Sequence, residues 1–236
     1  MAKDTFIFKR VEKKYRISTA QKDKLLAMIS DKLVPDEYGK STVCSLYLDT
    51  PSYLLIRNSI EAKTYKEKLR LRSYGVPTGD TRVFLEIKKK FDGVVYKRRV
   101  SMSLDAAKEY INGGESPIKS QIMSEIDYAM SFYGHPKPSI LVAYEREAFY
   151  VKDDPNVRLT FDSNIRYRNE ELFLEKGNHG NRIMPEGELI LEIKTSGAMP
   201  LWLSSALCEL GIFPSSFSKC GNAYRIIFEN TKVATI

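Results

Sequence analysis

The sequence predicts an α+β protein: an antiparallel β-barrel of about eight strands with peripheral helices. Three observations carry that expectation. The extended runs follow one another mostly in hairpin order, as antiparallel pairing needs. Between Tyr65 and Val100, cationic and apolar residues alternate with the two-residue period of a strand. Closing such a sheet on itself also removes the exposed edges that an open sheet would leave.

Taken in order, Phe6 to Ile17 reads as the first strand, with Arg10, Glu12 and Lys14 on one face. Ser18-Thr19 caps a helix whose Leu25, Leu26, Ile29 and Leu33 recur at helical spacing. Pro35 and Gly39 end that segment. Ser41 to Asp49 is the next strand, closed by an Asp-Thr-Pro turn, and Pro51 to Ile60 is expected as a short helix. Three cationic strands follow: Lys68-Leu69-Arg70-Leu71-Arg72-Ser73-Tyr74, Phe84-Leu85-Glu86-Ile87-Lys88-Lys89-Lys90 and Tyr96-Lys97-Arg98-Arg99-Val100. Gly75 to Gly79 and the hairpin dipeptide Asp92-Gly93 separate them. Leu104 starts a short helix that Gly113-Gly114 ends, and a second helix runs from about Ile118 to Tyr133. Ser139 to Val151 and Val157 to Arg168 are extended, whereas Glu175 to Glu188 is polar, Gly- and Asn-rich, and reads as a loop. Leu189 to Thr195 returns to strand, Pro200 to Leu210 to helix, and the last helix runs from Ser218 to about Glu229. Leu201, Trp202, Leu203 and Leu207 share a helical stripe expected to pack in the core.

No internal repeat or interdomain linker interrupts the 236 residues, so one domain spanning 1–236 is expected. With 43% hydrophobic and 28% charged residues the chain can bury a core. Lys and Arg outnumber Asp and Glu by 37 to 30, a net charge of +7 that favours polyanionic partners. Cys44, Cys208 and Cys220 are widely spaced and form no CxxC or Cys/His motif, which points to a reducing cytoplasm. Met1-Ala2-Lys3-Asp4-Thr5 lacks a signal-peptide core, and no apolar run reaches transmembrane length.

On strand parity, Lys68, Arg70 and Arg72 share a face opposite Leu69 and Leu71, and Glu86, Lys88 and Lys90 oppose Leu85 and Ile87. The same alternation recurs at Tyr144 and Arg146, at Arg158, Thr160 and Asp162, and at Glu192 and Lys194. On a sandwich these charges would decorate a wet face; in a barrel they converge on a lumen. Unpaired buried cations are costly, so such a lumen holds water and a multiply charged anion. Arg supplies a planar fork for phosphate oxygens and Lys a point charge. Glu12, Glu86 and Glu192 either pair with lysines or hold Mg²⁺ or Mn²⁺.

These residues resemble the triphosphate tunnel metalloenzymes (the CYTH-like superfamily), and within them the vacuolar transporter chaperone (VTC) polyphosphate polymerase domain. The superfamily's first-strand signature is Glu-x-Glu-x-Lys; here Arg10-Val11-Glu12-Lys13-Lys14 replaces the first Glu by Arg, which suits the VTC branch. Further matches are Tyr47-Leu48-Asp49-Thr50, Lys68 to Arg72, Glu86-Ile87-Lys88, Tyr144-Glu145-Arg146, Val157 to Asp162, Leu191 to Lys194 and Phe217-Ser218-Lys219. The resemblance implies a tunnel in which Lys14, Arg70, Arg72, Lys88, Arg146, Arg158 and Lys219 grip phosphates, with Arg10, Lys97, Arg99 and Lys194 as further phosphate contacts. It implies that Glu192 holds the metal, with Glu86 and Glu12 as further candidates, and that Tyr144 and Ser218 hydrogen-bond the terminal phosphoryl group. The implied reaction passes the γ-phosphoryl of ATP to phosphate or a growing polyphosphate end and releases ADP. A separate membrane protein is the implied export partner.

Two other readings stay open: a triphosphatase or nucleoside triphosphatase of the same fold, and a non-catalytic polyphosphate binder. No nucleic-acid partner is expected, because the aromatic residues form no RNP-like motif and the cations alternate on strands. There is no Walker P-loop, no GxGxxG and no Ser-His-Asp candidate, and His135 and His179 sit beside Pro or Gly in loops.

Overall fold

A computed structural model describes residues 11–92 and 94–233. In chain order the elements are β1 (Val11–Ser18), α1 (Thr19–Ile29), β2 (Leu33–Asp49), α2 (Leu54–Glu61), β3 (Tyr65–Tyr74), β4 (Arg82–Phe91) and β5 (Val94–Ser103). They continue with α3 (Leu104–Ile111), α4 (Gln121–Phe132), β6 (Lys137–Val151), β7 (Asp154–Arg168), β8 (Asn181–Arg182), β9 (Glu188–Thr195), α5 (Leu201–Glu209) and α6 (Lys219–Val233). Hydrogen bonding joins the strands in the order β1-β9-β7-β6-β2-β3-β4-β5, with β8 on β7. The fold is α+β on a large antiparallel sheet. Among the described residues β1 and β5 each pair on one side only, so the expected ring of strands is not closed by described pairing. The Phe6–Arg10 part of the first strand and Gly93 of the hairpin lie outside the described residues.

Two compact units divide the chain: residues 11–41, 145–164 and 184–217, and residues 42–144, 165–183 and 218–233. Each has its own apolar core. In the first, Tyr15, Ile17, Leu189, Leu191, Ile193, Leu159 and Phe161 line one face of β1, β9 and β7. Leu25 and Ile29 of α1 and Leu203 and Leu207 of α5 cover that face, with Trp202 packed at its margin. Leu201 departs from the expected stripe and stands 84% exposed. In the second unit, Leu46, Leu48, Leu69, Leu71, Leu85 and Ile87 line one face of β2 to β4, with α3 and α4 packed on it through Ala107, Ile111, Met123 and Ile126.

The helix starts follow the side-chain chemistry. Ser18 and Gln21 form a capping box at α1: the Gln21 N–H donates to Ser18 Oγ (3.1 Å) and the Ser18 N–H to Gln21 Oε1 (3.0 Å). Ser103 and Ser120 cap α3 and α4 in the same one-way sense. Asp49 reaches past its turn to accept the Leu55 and Ile56 N–H groups at the start of α2. Two expectations are corrected. Leu33 opens β2 instead of ending α1, and Pro35 and Gly39 lie inside a 17-residue strand. Pro35 is compatible with extended backbone, and Gly39 takes φ +52°, a kink that glycine adopts without strain. Within 175–188, β8 pairs with β7 through Arg166–Arg182 and Tyr167–Asn181, giving part of the expected loop a partner.

Candidate functional site

The polar face of the second unit carries three cross-strand rows. Tyr47, Arg70, Glu86 and Arg99 form one; Lys68, Lys88 and Lys97 the next; Ser45, Arg72 and Phe84 the third. Glu86 is 1% exposed and both its oxygens meet cations. Its Oε2 accepts from Arg70 Nε (2.7 Å), and Lys97 Nζ lies 2.6 Å from Oε1. Arg72 Nε is 4.0 Å from Oε2. Burial alone would raise the Glu86 pKa; Arg70, Arg72 and Lys97 reverse that and bring it to about 2. Burial pushes Lys97 down to about 8 against the pull of Glu86. For Arg70, burial acts downward, but Tyr47 and Glu86 hold its pKa above the ordinary value.

Arg72 is buried; its Nε donates to Ser45 Oγ (3.2 Å) and its Nη2 approaches the Tyr144 hydroxyl (3.5 Å). The Arg99 guanidinium sits 4.8 Å from the Phe84 ring centre. Arg98, on the opposite strand face from Lys97 and Arg99, pairs with Glu125 of α4 at 3.6 Å. The start of α6 adds Ser218 and Lys219. Ser218 Oγ caps the helix by accepting from the Gly221 N–H (3.1 Å) and also accepts from Lys68 Nζ (3.2 Å). Lys219 Nζ stands 4.5 Å from the Tyr144 ring centre. Tyr53, Tyr224 and Phe228 bind α6 to the start of α2, with ring centres 4.6–5.6 Å apart.

The first unit has a mixed-sign face. Glu12, Lys194 and Arg158 form one row and Lys14, Glu192 and Thr160 the next. Lys14 pairs with Glu12 (3.2 Å) and donates to the Phe217 carbonyl (3.2 Å); Lys194 pairs with Glu192 at 2.7 Å. Asp162, 0% exposed, accepts a two-pronged pair from Arg146 Nε (2.6 Å) and Nη2 (2.7 Å). Arg158 pairs with buried Asp36 and lies over the Tyr150 ring. Each of Arg70, Arg146 and Arg158 is therefore aimed by a carboxylate more deeply buried than itself.

Of the residues singled out in the sequence, Arg10 lies outside the described ones. Arg70, Arg72, Lys88, Lys97, Arg99, Tyr144, Ser218, Lys219 and Glu86 come together in the second unit. Lys14, Arg146, Arg158, Lys194, Glu12 and Glu192 belong to the first. Asp36 had no assigned role because its segment reads as the broken end of a helix, and Lys68 was left off the site although it shares the Arg70 face.

Among the described residues no three His, Cys, Asp or Glu side chains group as metal ligands. Glu12 and Glu192 lie on one face in adjacent rows of neighbouring strands. Thr160, in register with Glu192, has a buried hydroxyl with no hydrogen-bond partner. Carboxylate and hydroxyl oxygens are the hard donors that Mg²⁺ and Mn²⁺ prefer, and these ions usually complete their shells with water and phosphate oxygens. These residues fit such an ion.

The Glu86 pairing sets an acid limit on stability. Its folded pKa lies below its unfolded value, so the stabilisation is present above about pH 4.5 and is lost as pH falls through about 2. A denaturant titration at pH 7 and pH 3 should show wild type losing more than a Glu86→Gln variant over that interval. Equal losses would exclude the pairing as the cause.

Compared with solved structures, the chain is similar to a Bacillus halodurans protein provisionally assigned as an adenylate cyclase, at TM-score 0.55 and 12% identity over 89% of this chain and 95% of that one. A Vibrio parahaemolyticus protein with the same provisional assignment (TM-score 0.47, 12% identity, 89% and 94% covered) and a Pyrococcus horikoshii protein (0.44, 15%, 93% and 99%) are weaker matches. The first of these likenesses shows a shared fold. Comparison with curated protein sequences gives no significant match. The VTC domain family model matches residues 9–228, and the chain belongs to that family.

Proposed function

We propose that the chain is an ATP-dependent polyphosphate polymerase. The observation that carries this reading is the density of cations on the strand faces. Lys68, Arg70, Arg72, Lys88, Lys97, Arg99 and Lys219 share one unit, more positive groups than a single triphosphate engages. Lys14, Arg146, Arg158 and Lys194 supply a further set in the other.

In the proposed reaction a terminal oxygen of phosphate or polyphosphate attacks the γ-phosphorus of ATP. The bond to the β-phosphate oxygen breaks and ADP leaves. In the second unit Arg70, Arg72, Lys88 and Lys219 neutralise charge spread over the transferring group, which is most of what this chemistry requires of a protein, and Lys14 and Arg146 are the first unit's candidates for phosphate contact. Lys97 and Arg99 of the same unit hold flanking phosphates, and Tyr144 and Ser218 donate hydroxyl hydrogen bonds to the terminal group; Arg10, Arg158 and Lys194 are further candidates for phosphate contact. Glu12 and Glu192 would hold Mg²⁺ or Mn²⁺, which when bound would supply Lewis-acid charge to phosphoryl oxygens. The reading puts the reaction in the cytoplasm, where ATP is supplied, with a separate membrane protein as export partner.

The test is purified protein with ATP and Mn²⁺, following polyphosphate, ADP and free phosphate together. Polymer with matched ADP supports the polymerase; phosphate without polymer replaces it by a hydrolase. Binding with neither product leaves a polyphosphate-binding module. In the active protein Arg70→Ala should lower kcat by about 10²–10³. A change confined to KM would show that Arg70 binds ground and transition states equally.

A further inference from the structure

We propose that Tyr47 is a further phosphate-binding residue, its hydroxyl donating to the same phosphoryl group that the Arg70 guanidinium grips. β2 sets Tyr47 directly across from Arg70, and Ser45 across from Arg72, and the first row goes on to Glu86. Leu46 and Leu48, on either side of Tyr47, are buried in the apolar core. The Tyr47 carbonyl accepts from Ser139 Oγ (3.0 Å), so the ring stands on a strand fixed at both faces. Tyr47 is 7% exposed.

Unspent hydrogen-bonding capacity selects the ligand. A guanidinium carries five N–H groups and a phenol one O–H. Glu86 Oε2 takes Arg70 Nε and Nη2, each at 2.7 Å, and the Tyr47 oxygen accepts from Arg70 Nη1 at 3.5 Å. That leaves Arg70 one N–H on each terminal nitrogen. Among the described residues the Tyr47 hydroxyl meets no acceptor for its own proton. Burial raises the Tyr47 pKa against the pull of Arg70, so that proton stays in place at neutral pH. Cys220, beside it, is pushed up to about 12 by burial and supplies no thiolate to receive the proton. A buried O–H without an acceptor is costly, and it stands here next to the free fork of an arginine. Three such donors side by side recognise an anion. A tetrahedral phosphoryl group offers separate oxygens to the fork and to the phenol. Tyr144 stands at the same 3.5 Å from Arg72 Nη2, so each of these β3 arginines carries a phenol at a terminal nitrogen. The inference rests on the reading that Arg70 binds phosphate.

The test is calorimetric titration of tripolyphosphate into the full chain, without nucleotide. Tyr47→Phe removes a single oxygen and should weaken binding about tenfold or more, as expected for a hydrogen bond to a charged group. The same substitution in an Arg70→Lys background should still weaken binding severalfold. Unchanged affinity of Tyr47→Phe overturns the proposal. So does a loss that disappears in the Arg70→Lys background, which would make Tyr47 a support for Arg70 and no contact of the ligand. A melting temperature of free Tyr47→Phe lowered by about 10 °C or more also overturns it, because the hydroxyl would then belong to the fold. Wild type that binds no tripolyphosphate would remove the phosphate reading of Arg70 itself, whereas failure at Tyr47 alone leaves that reading standing.

Discussion

Glu192→Gln should abolish turnover, by a factor of about 10³ or more, while polyphosphate binding survives. The substitution keeps the side chain's shape but removes one of the two carboxylates, Glu12 and Glu192, that share a face in adjacent rows. A neutral amide is a poor partner for Mg²⁺ or Mn²⁺ compared with a carboxylate. Binding should hold or tighten, because Lys194, now 2.7 Å from Glu192, loses its internal counter-charge and becomes available to phosphate. Measuring kcat alongside the dissociation constant for polyphosphate separates the two effects. Unchanged turnover would remove Glu192 from the metal role, and parallel loss of binding and turnover would make it a structural support.

Arg146→Ala should be the most destabilising single change in the first unit. It removes a two-pronged donor from Asp162, which is 0% exposed and accepts from Arg146 Nε and Nη2. Removing one partner of a buried pair costs about 3–5 kcal/mol, because the remaining charge stays buried and loses its counter-charge. For a chain of this length the melting temperature should fall by on the order of 10 °C. Adding Asp162→Asn removes the buried negative charge and should recover more than half of the loss. A fall of only a degree or two in the single variant would show that water or another group reaches Asp162.

The rows of the candidate site were legible because strand parity is a local property. Lys68, Arg70 and Arg72 are placed on one face by the two-residue period alone, and the structure keeps them there. The same rule puts Arg98 on the opposite face from Lys97 and Arg99, where it meets Glu125. The helix cap at Ser18 was also local. What parity does not carry is which residue lies across the ladder. That Glu86 faces Arg70, or that Arg158 reaches Asp36, depends on register between segments 16 and 122 positions apart. Asp36 was further hidden by Pro35 and Gly39, whose breaker signals outweighed a strand that tertiary pairing stabilises.

The pairing of β1 with β9 has a consequence for how the chain is made. Tyr15 meets Leu191, and Ile17 meets Leu189, so the apolar stripe of the first strand waits for about 170 more residues before its partner is synthesised. Its other covering helix, α5, follows later still. The first unit therefore cannot mature during translation, whereas β3, β4 and β5 can pair as soon as their two hairpins emerge. The nascent chain should hold a protease-resistant β3–β5 segment while its first strand is still a ligand for chaperones.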